Sequence, residues 1–583
     1  MLRRINPGQQ SRYSLSAIFW LIAILLGALQ AWFNRYSLSS DDIISYLDIG
    51  DAYLRGEWNV AINGYWSPLY SWLLGLTMLV LKPSPYWEFP VVKLVNFLIY
   101  LFALVCFEFF LHQLVSSYRE KIYQASPNRS FKIPKWVWIV SGYTIFIWSS
   151  LQWIGIYCDT PDMCVAAFVY LAAGLVLRIH NRSDNWFNFI MLGAVLGFSY
   201  LSKAAMFPIA FVFLAVGMFS VGLSVKSLRL ALPQILASIL IFTTISTPFI
   251  VALSTAKGHL TFGETGKLNY AWIVAGEVKP YRFWQGNEPG SGTPKHPLRK
   301  IFDHPEVFEF ATPVGGTYSP WYDPSYWYEG LKVKFNLNKQ IGILAYNFIY
   351  YYYILGTLIF GYLILVFVSG KFWLSVKELT GSWKLLIPAA VGLGIYMLGQ
   401  NMPDQIIDRQ PSTRYIAAFI VLLFAGVFSS VRLPDSQESK KLIIGMTIAA
   451  LVATGGQLFY QNSKDFLNAV RKQDQHIQWQ VADRLKQLGF QPEEKVAILG
   501  KYAFPSYHWA RLARAKIVAE ILDERSFWDT DAVVRSEVLK AIEKTGARVV
   551  VQKPGFKIPL DCISAIGWQE IGNTGYYVDF LRK

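Results

Sequence analysis

Ser39-Ser40-Asp41-Asp42-Ile43-Ile44-Ser45-Tyr46 leads, through an amphipathic tract ending at Trp58, to Asn63-Gly64-Tyr65-Trp66-Ser67-Pro68-Leu69-Tyr70-Ser71-Trp72-Leu73. An apolar run over 14–34 precedes it, so the two adjacent carboxylates stand just past the outer end of a first hydrophobic helix, where bilayer gives way to water. A carboxylate there keeps most of its solvation, yet a covering segment can shield it. It can therefore serve as a base toward a substrate arriving from outside. The second half opens a run at 67–81 that begins beside Pro68 and is only about 15 residues long, a length that suits a re-entrant or interfacial helix better than a span.

Composition agrees with a membrane setting. Of 583 residues, 53% are hydrophobic and 16% aromatic, and the mean hydropathy is +0.31, too apolar for an ordinary soluble chain of this size. The formal charge of +15 does not point to nucleic acid, because the Lys and Arg residues sit in short clusters between apolar runs, as at cytoplasmic loop ends. Cys106, Cys158, Cys164 and Cys562 form no CxxC pair, so neither a zinc site nor a required disulfide is expected. Arg3, Arg4 and Arg12 precede the first apolar run without a small-residue cleavage site, which reads as a retained first helix.

Runs of spanning length occur at 14–34, 91–115, 136–157, 161–178, 186–202, 204–222, 231–254, 341–369, 385–399, 414–431 and 441–460. Charge decides whether 67–81 crosses as well. If it does not, and the N-terminus is inside, fifteen basic residues fall in the cytoplasm: Arg119, Lys121, Arg129, Lys132, Lys135, Arg178, Arg182, Lys226, Arg229, Lys371, Lys377, Lys384, Arg432, Lys440 and Lys441. If it does, all of them move outside, against the positive-inside rule. The same parity puts the loop 36–90, the turn at Asp159 to Asp162, Lys203, the loop 255–340, the segment Gln400 to Thr413 and everything after Tyr460 on the external face. The loop 255–340 is rich in Gly, Pro and aromatics and is expected to pack as a lid at the membrane surface. Residues 461–583 alternate helix and strand signals, with strands at Lys495–Gly500, Ala547–Val551 and Tyr576–Phe580, and read as a small external α/β domain.

Each polar constellation has a plain and a chemical reading. Asp41 and Asp42 could simply cap a helix, or one could be a base and the other orient it. Asp159-Thr160-Pro161-Asp162 is an ordinary helix start that parity puts on the face of Asp41. Lys203 stands between two apolar runs, where an ammonium needs an anionic partner or must snorkel to the headgroups. Arg409 and Arg414, in Asp408-Arg409-Gln410-Pro411-Ser412-Thr413-Arg414-Tyr415, carry the planar fork that suits phosphate, although Asp408 could hold one of them. His259, His296 and His304 read as solvated or structural loop residues.

In their order these features resemble the GT-C glycosyltransferases, integral membrane enzymes with polyprenyl-phosphate sugar donors. Closest are the arabinofuranosyltransferase-like members, with an Asp-Asp pair before a Gly-Tyr-x-Ser-Pro-Leu run; protein O-mannosyltransferases and lipid A aminoarabinose transferases show a looser version. The resemblance implies a polytopic α-helical membrane protein of GT-C fold with about eleven spans in residues 1–460. It implies transfer of one sugar from a polyprenyl phosphate to a hydroxyl of an external lipid, glycan or protein, in a bacterial inner membrane. No metal bound by the protein is implied, with a divalent cation left open. It assigns Asp41 as base beside Asp42, a second acid from Asp159 or Asp162 with Asp159 ranked first, Tyr46 and Tyr65 on the substrate side, and Lys203, Arg414 and secondarily Arg409 as donor contacts. The alternative is a transporter or flippase of a lipid-linked anion, which the lack of an internal repeat disfavours.

Overall fold

The computed structural model describes residues 7–37, 39–125, 132–181, 185–222, 224–275, 292–293, 298–310, 315–370, 372–399, 412–471, 476–500, 507–552 and 567–581. It divides into two compact units, one of 1–35, 93–251 and 336–470, the other of 36–92, 252–335 and 471–583.

The first unit is helical. Every one of the eleven apolar runs contains a helix; among the described residues six helices are long and apolar enough to cross a membrane, or up to eight if the bent pairs Leu337–Gly356 with Leu358–Val368 and Phe372–Thr380 with Trp383–Gly399 each count as one span. The helices Trp186–Ser202, Met206–Ser220 and Ala417–Ser430 have 17, 15 and 14 residues; at about 1.5 Å per residue they are shorter than a hydrocarbon core of about 30 Å. By length and composition, six to eight helices among the described residues are long enough to cross, beside about eleven spans expected from the apolar runs. Large apolar side chains such as Leu240, Phe360, Phe367 and Val452 are exposed on the long helices, which identifies their outer faces as lipid-facing and the chain as a multi-pass membrane protein. The helix Asp162–Asn181 is the most enclosed of the six. Small residues let helices approach: a Cβ on Gly193 would lie 2.1 Å from the Ser238 carbonyl oxygen, and Ser238 Oγ donates to the Phe189 carbonyl at 2.5 Å.

The second unit joins three separated segments around one sheet. Its strands are β1 (Leu298–Phe302), β2 (Val307–Phe310), β3 (Lys495–Leu499), β4 (Lys516–Ile521), β5 (Val549–Gln552), β6 (Gln569–Glu570) and β7 (Tyr577–Phe580). They are ordered β1-β2-β4-β3-β5-β7-β6. β3 pairs in parallel with β4 and β5, and the other pairings are antiparallel. The parallel strands are buried on both faces, around Ala497, Leu499, Ala519, Ile521 and Val550, with Phe527, Trp528, Val538 and Ile542 packed on them. The expected domain of 461–583 is therefore incomplete. β2 pairs with β4, extending the sheet with a hairpin from the 255–340 loop, and the helix Gln437–Arg471 carries the helical segment past residue 460.

The first loop belongs to the same unit. Helix Asp42–Arg55 packs on helix Pro68–Leu81 with backbones so close that a Cβ on Gly50 would meet the Ser71 carbonyl oxygen at 2.7 Å. Asn63 Oδ1 accepts from the amides of Tyr65 and Trp66, both at 2.9 Å, and fixes the turn between them. Its Nδ2 donates to the Tyr322 carbonyl at 2.7 Å, and the Gly64 amide donates to Asp323 at 3.0 Å.

Helix Pro68–Leu81 has 14 residues, about 21 Å of rise, in keeping with a non-crossing segment. The expected orientation is testable: with native cysteines removed, Cys at Ser436 should be labelled from the cytoplasmic side and Cys at Val533, which is 68% exposed, from outside. Opposite labelling would overturn the charge-based parity.

Candidate active site

In the first unit, the acidic turn is built by a change of helix type. The helix Lys135–Trp148 continues as a π-helix over Ser149–Ile154, and Gly155 at φ 80° turns the chain out of it. Gln30 clamps this turn, donating to the Leu151 carbonyl at 2.9 Å and accepting from the Ile156 amide at 2.8 Å. The two acids that follow have different partners. Asp159 meets Lys93 Nζ at 2.5 Å and Asn96 Nδ2 at 3.2 Å, while Lys93 also donates to the Tyr157 carbonyl at 2.8 Å. Both members of the ion pair are almost wholly buried. This internal pair accounts for Asp159 structurally, and nothing in the local sequence around 159 announced Lys93. Cys158, beside it, is free and buried, and burial pushes its thiol up to about 12.

Asp162 instead gathers the two cations expected to bind a donor. Its Oδ1 lies 2.5 Å from Lys203 Nζ and its Oδ2 3.0 Å from Arg414 Nε, and Thr160 Oγ1 donates to Oδ2 at 2.8 Å. Lys203 Nζ sits 4.1 Å from the centre of the Tyr415 ring, which stacks on Tyr396 at 5.4 Å, and Arg414 donates to the Tyr415 hydroxyl at 2.7 Å. Local folding explains the convergence: Asp162 opens one helix, Lys203 ends another and Arg414 lies in the 3₁₀ turn Ser412–Tyr415. Two cations meet one carboxylate, and the Lys203 side chain remains 21% exposed. Geometry thus associates Asp162, rather than the higher-ranked Asp159, with Lys203 and Arg414. Arg409 lies outside the described residues.

In the second unit, Asp41 stands at the N-cap position of helix Asp42–Arg55, but its side chain makes no capping hydrogen bond. It is 2% exposed, and its Oδ1 lies 3.3 Å from His508 Nδ1. The other ring nitrogen, Nε2, is 3.2 Å from the Ser40 carbonyl oxygen, to which it must donate. Both nitrogens of His508 therefore face oxygens, one of the Ser40 carbonyl and one of the Asp41 carboxylate. Asp42, in the first helical turn, is half-buried and its amide donates to Ser40 Oγ at 3.3 Å. Tyr46 is buried edge-on between Trp66 and Tyr70 at 5.1 and 5.0 Å, so its ring is used in packing. Tyr65 is half-buried; its hydroxyl donates to Asn269 at 3.0 Å and its ring packs against Trp66 at 4.6 Å.

A second buried network ties this unit together. Arg511 lies 2.7 Å from both Asp48 and Asp51 and 2.6 Å from Glu88; Arg514 meets Glu88 at 2.6 Å. Asp48 also accepts from the Thr317 amide at 2.6 Å and its hydroxyl at 3.1 Å. Burial raises the Asp48 carboxyl above its ordinary value, opposed by Arg511 and the Thr317 amide. Burial by itself would lower the Arg511 guanidinium, but Glu88, Asp51 and Asp48 carry it well above its ordinary value. Neither His508 nor Arg511 left a signal in the sequence.

Replacing Arg511 with Ala strands these carboxylates, and the expected loss of stability is about 3–5 kcal/mol. The folded value of Asp48 lies above its unfolded one, so its contribution is fully favourable below the unfolded carboxylate value and is lost as pH rises through the folded one. The deficit of the variant should shrink as pH falls. Thermal unfolding of the detergent-solubilised chain across pH measures it, and an unchanged melting temperature would contradict the network's role.

No protein-family model matches the chain, and no curated protein matches it. Among solved structures it is similar to the oligosaccharyltransferase of Archaeoglobus fulgidus in the apo form, with 13% identity over 93% of this chain and 69% of that one and a TM-score of 0.46. It is also similar to ArnT from Cupriavidus metallidurans, in the apo state at 12% identity, 96% and 98% coverage and a TM-score of 0.38, and bound to undecaprenyl phosphate at 13%, 96%, 97% and 0.41. These likenesses are too weak to assign the chain to a family.

Proposed function

We propose that the protein is a GT-C type glycosyltransferase that moves a monosaccharide from a polyprenyl phosphate to a hydroxyl of an external lipid, glycan or protein. The observation that carries this reading is the convergence of Lys203 and Arg414 on Asp162 at the ends of apolar helices. A phosphate there would accept charge-assisted hydrogen bonds from both cations. The ordered motifs of the first loop support the same reading.

In this proposal Asp41 takes the proton of the acceptor hydroxyl. The freed oxygen attacks the anomeric carbon, forming the new glycosidic bond; the bond from that carbon to the phosphate oxygen breaks, and polyprenyl phosphate leaves with the electron pair. The His508 ring faces Asp41 at 3.3 Å, and Asp42 orients the acceptor. No step calls on a metal or cofactor. The orientation proposed is N-terminus in the cytoplasm and second unit outside, in a bacterial inner membrane.

The test is turnover of a panel of polyprenyl-phosphate sugars by the purified full chain, with membrane extract as acceptor. Release of polyprenyl phosphate together with sugar transfer supports the reading. Translocation of a lipid-linked donor without its consumption would replace the enzyme with a transporter.

A further inference from the structure

A small cavity opens among the helices of the first unit, away from the cluster at Asp162. Leu177, one of its lining residues, stands about 22 Å of helical rise along the helix that begins with Asp162. The basic loops assign this end to the cytoplasmic side. The polar lining consists of Lys121, Lys384 and the side chains of Ser117, Tyr118, Ser382 and Ser429, and the space measures about 20 Å³, enough for roughly one water-sized group.

Its charge is uncompensated. No carboxylate lines it. Glu378, on a neighbouring helix, is taken by Arg432 at 2.7 Å. Lys121 Nζ donates to the Gly381 carbonyl at 3.0 Å. Lys384 is only 8% exposed; the Trp383 ring is 5.7 Å from its Nζ, and no hydrogen bond or ion pair reaches its ammonium among the described residues. A buried ammonium facing a second cation is costly unless an anion joins them. A water would satisfy hydrogen bonds but leave the two charges opposed.

We propose that this cavity is an anion site that takes the terminal oxygens of a phosphate group, supplied by a phospholipid headgroup or by inorganic phosphate. Lysine ammonium groups carry three donors each for such oxygens, while the Ser382 and Ser429 hydroxyls donate to the Glu378 and Gly426 carbonyls. The enclosed volume admits an oxygen, while the phosphorus and whatever it carries stay at the partly open mouth. A lipid bound in this way would fasten the helix pair Phe372–Thr380 and Trp383–Gly399 to helix Glu88–Ala125, since Lys384 and Lys121 come from those two elements.

The experiment uses the full chain in neutral detergent. Melting temperature is followed with added inorganic phosphate in one arm and with mixed micelles of phosphatidylcholine, with or without phosphatidic acid, in the other. A rise with both inorganic phosphate and phosphatidic acid identifies a site open to the free anion; a rise with phosphatidic acid alone identifies the headgroup. In either case Lys384→Met and Lys121→Gln should each weaken the response about 10- to 150-fold in ligand concentration. Ligand-free Lys384→Met should melt no lower than wild type, because an uncompensated buried charge has been removed. Failure of both ligands to raise the wild-type melting temperature overturns the proposal, as does a wild-type response in both variants. Sugar transfer measured on the same samples keeps this outcome separate from the proposed function.

Discussion

Asp41→Asn is expected to lower turnover about 10²- to 10⁴-fold, the contribution of a positioned general base, while the protein remains folded. Asn keeps the shape and most of the hydrogen-bonding capacity of Asp and is nearly as good at a helix N-cap, so a carboxylate that only capped the helix would be replaced without consequence. The structure has already weakened that reading, since the Asp41 side chain makes no capping bond and faces His508 at 3.3 Å. Asp42→Asn and His508→Gln belong in the same assay, both with smaller losses expected. Gln retains a donor for the Ser40 carbonyl but removes the imidazole nitrogen that faces Asp41, so a rate loss in that variant reports that contact. Wild-type turnover in Asp41→Asn with a large loss in Asp42→Asn would transfer the base to Asp42. Full turnover in both would remove the pair from the chemistry.

The second large effect concerns the donor. Lys203→Ala and Arg414→Ala should each weaken binding of a polyprenyl-phosphate donor about 10- to 150-fold, corresponding to roughly 1.5–3 kcal/mol for a charge-assisted hydrogen bond. Because both cations share Asp162, the double variant should fall short of the product of the two losses. A cluster that served only to hold helices together predicts another pattern, with melting temperatures falling while donor affinity stays at the wild-type value. Donor titration and thermal unfolding on the same preparations separate the two, and unchanged donor affinity in both single variants would return Lys203 and Arg414 to internal ion pairing.

What could be read from the sequence was local. Apolar runs announced the helices of the first unit except Phe372–Thr380, because burial in lipid or protein leaves a continuous hydrophobic record. Lys203 between two such runs demanded an anionic partner, and one is present in Asp162. Strands β3, β5 and β7 were legible as short β-branched or aromatic runs with turn residues around them. β4 was missed, although Lys516–Ile521 lies next to β3 in the sheet: buried on both sides, it has no polar alternation to mark it. The β1–β2 hairpin was hidden inside a loop because its partner, β4, lies more than 200 residues away, as does the Tyr318 to Glu520 hydrogen bond beside it. His508 and Arg511 were invisible for the same reason. A pairing across 463 or 468 residues leaves nothing in either local window, and of the two adjacent aspartates only the fold distinguishes the one that meets histidine. The partner of Asp159 was equally hidden, since the single charge of Lys93 in a helix carried no hint of it.

The Arg511 network also sets an order of assembly. Asp48 and Glu88 are made early, yet the guanidinium that neutralises them lies 463 and 423 residues downstream. Until that segment has been synthesised, the first loop holds acids that cannot be neutralised by it, and the β1–β2 hairpin has an edge with no β4 to pair with. Contacts of such long sequence separation form late and slowly, since chain closure precedes any gain from the contact. The helical unit can pack while the second unit is still open, so chains stopped short of residue 511 should reach the membrane as folded helices bearing an unfinished, protease-sensitive second unit.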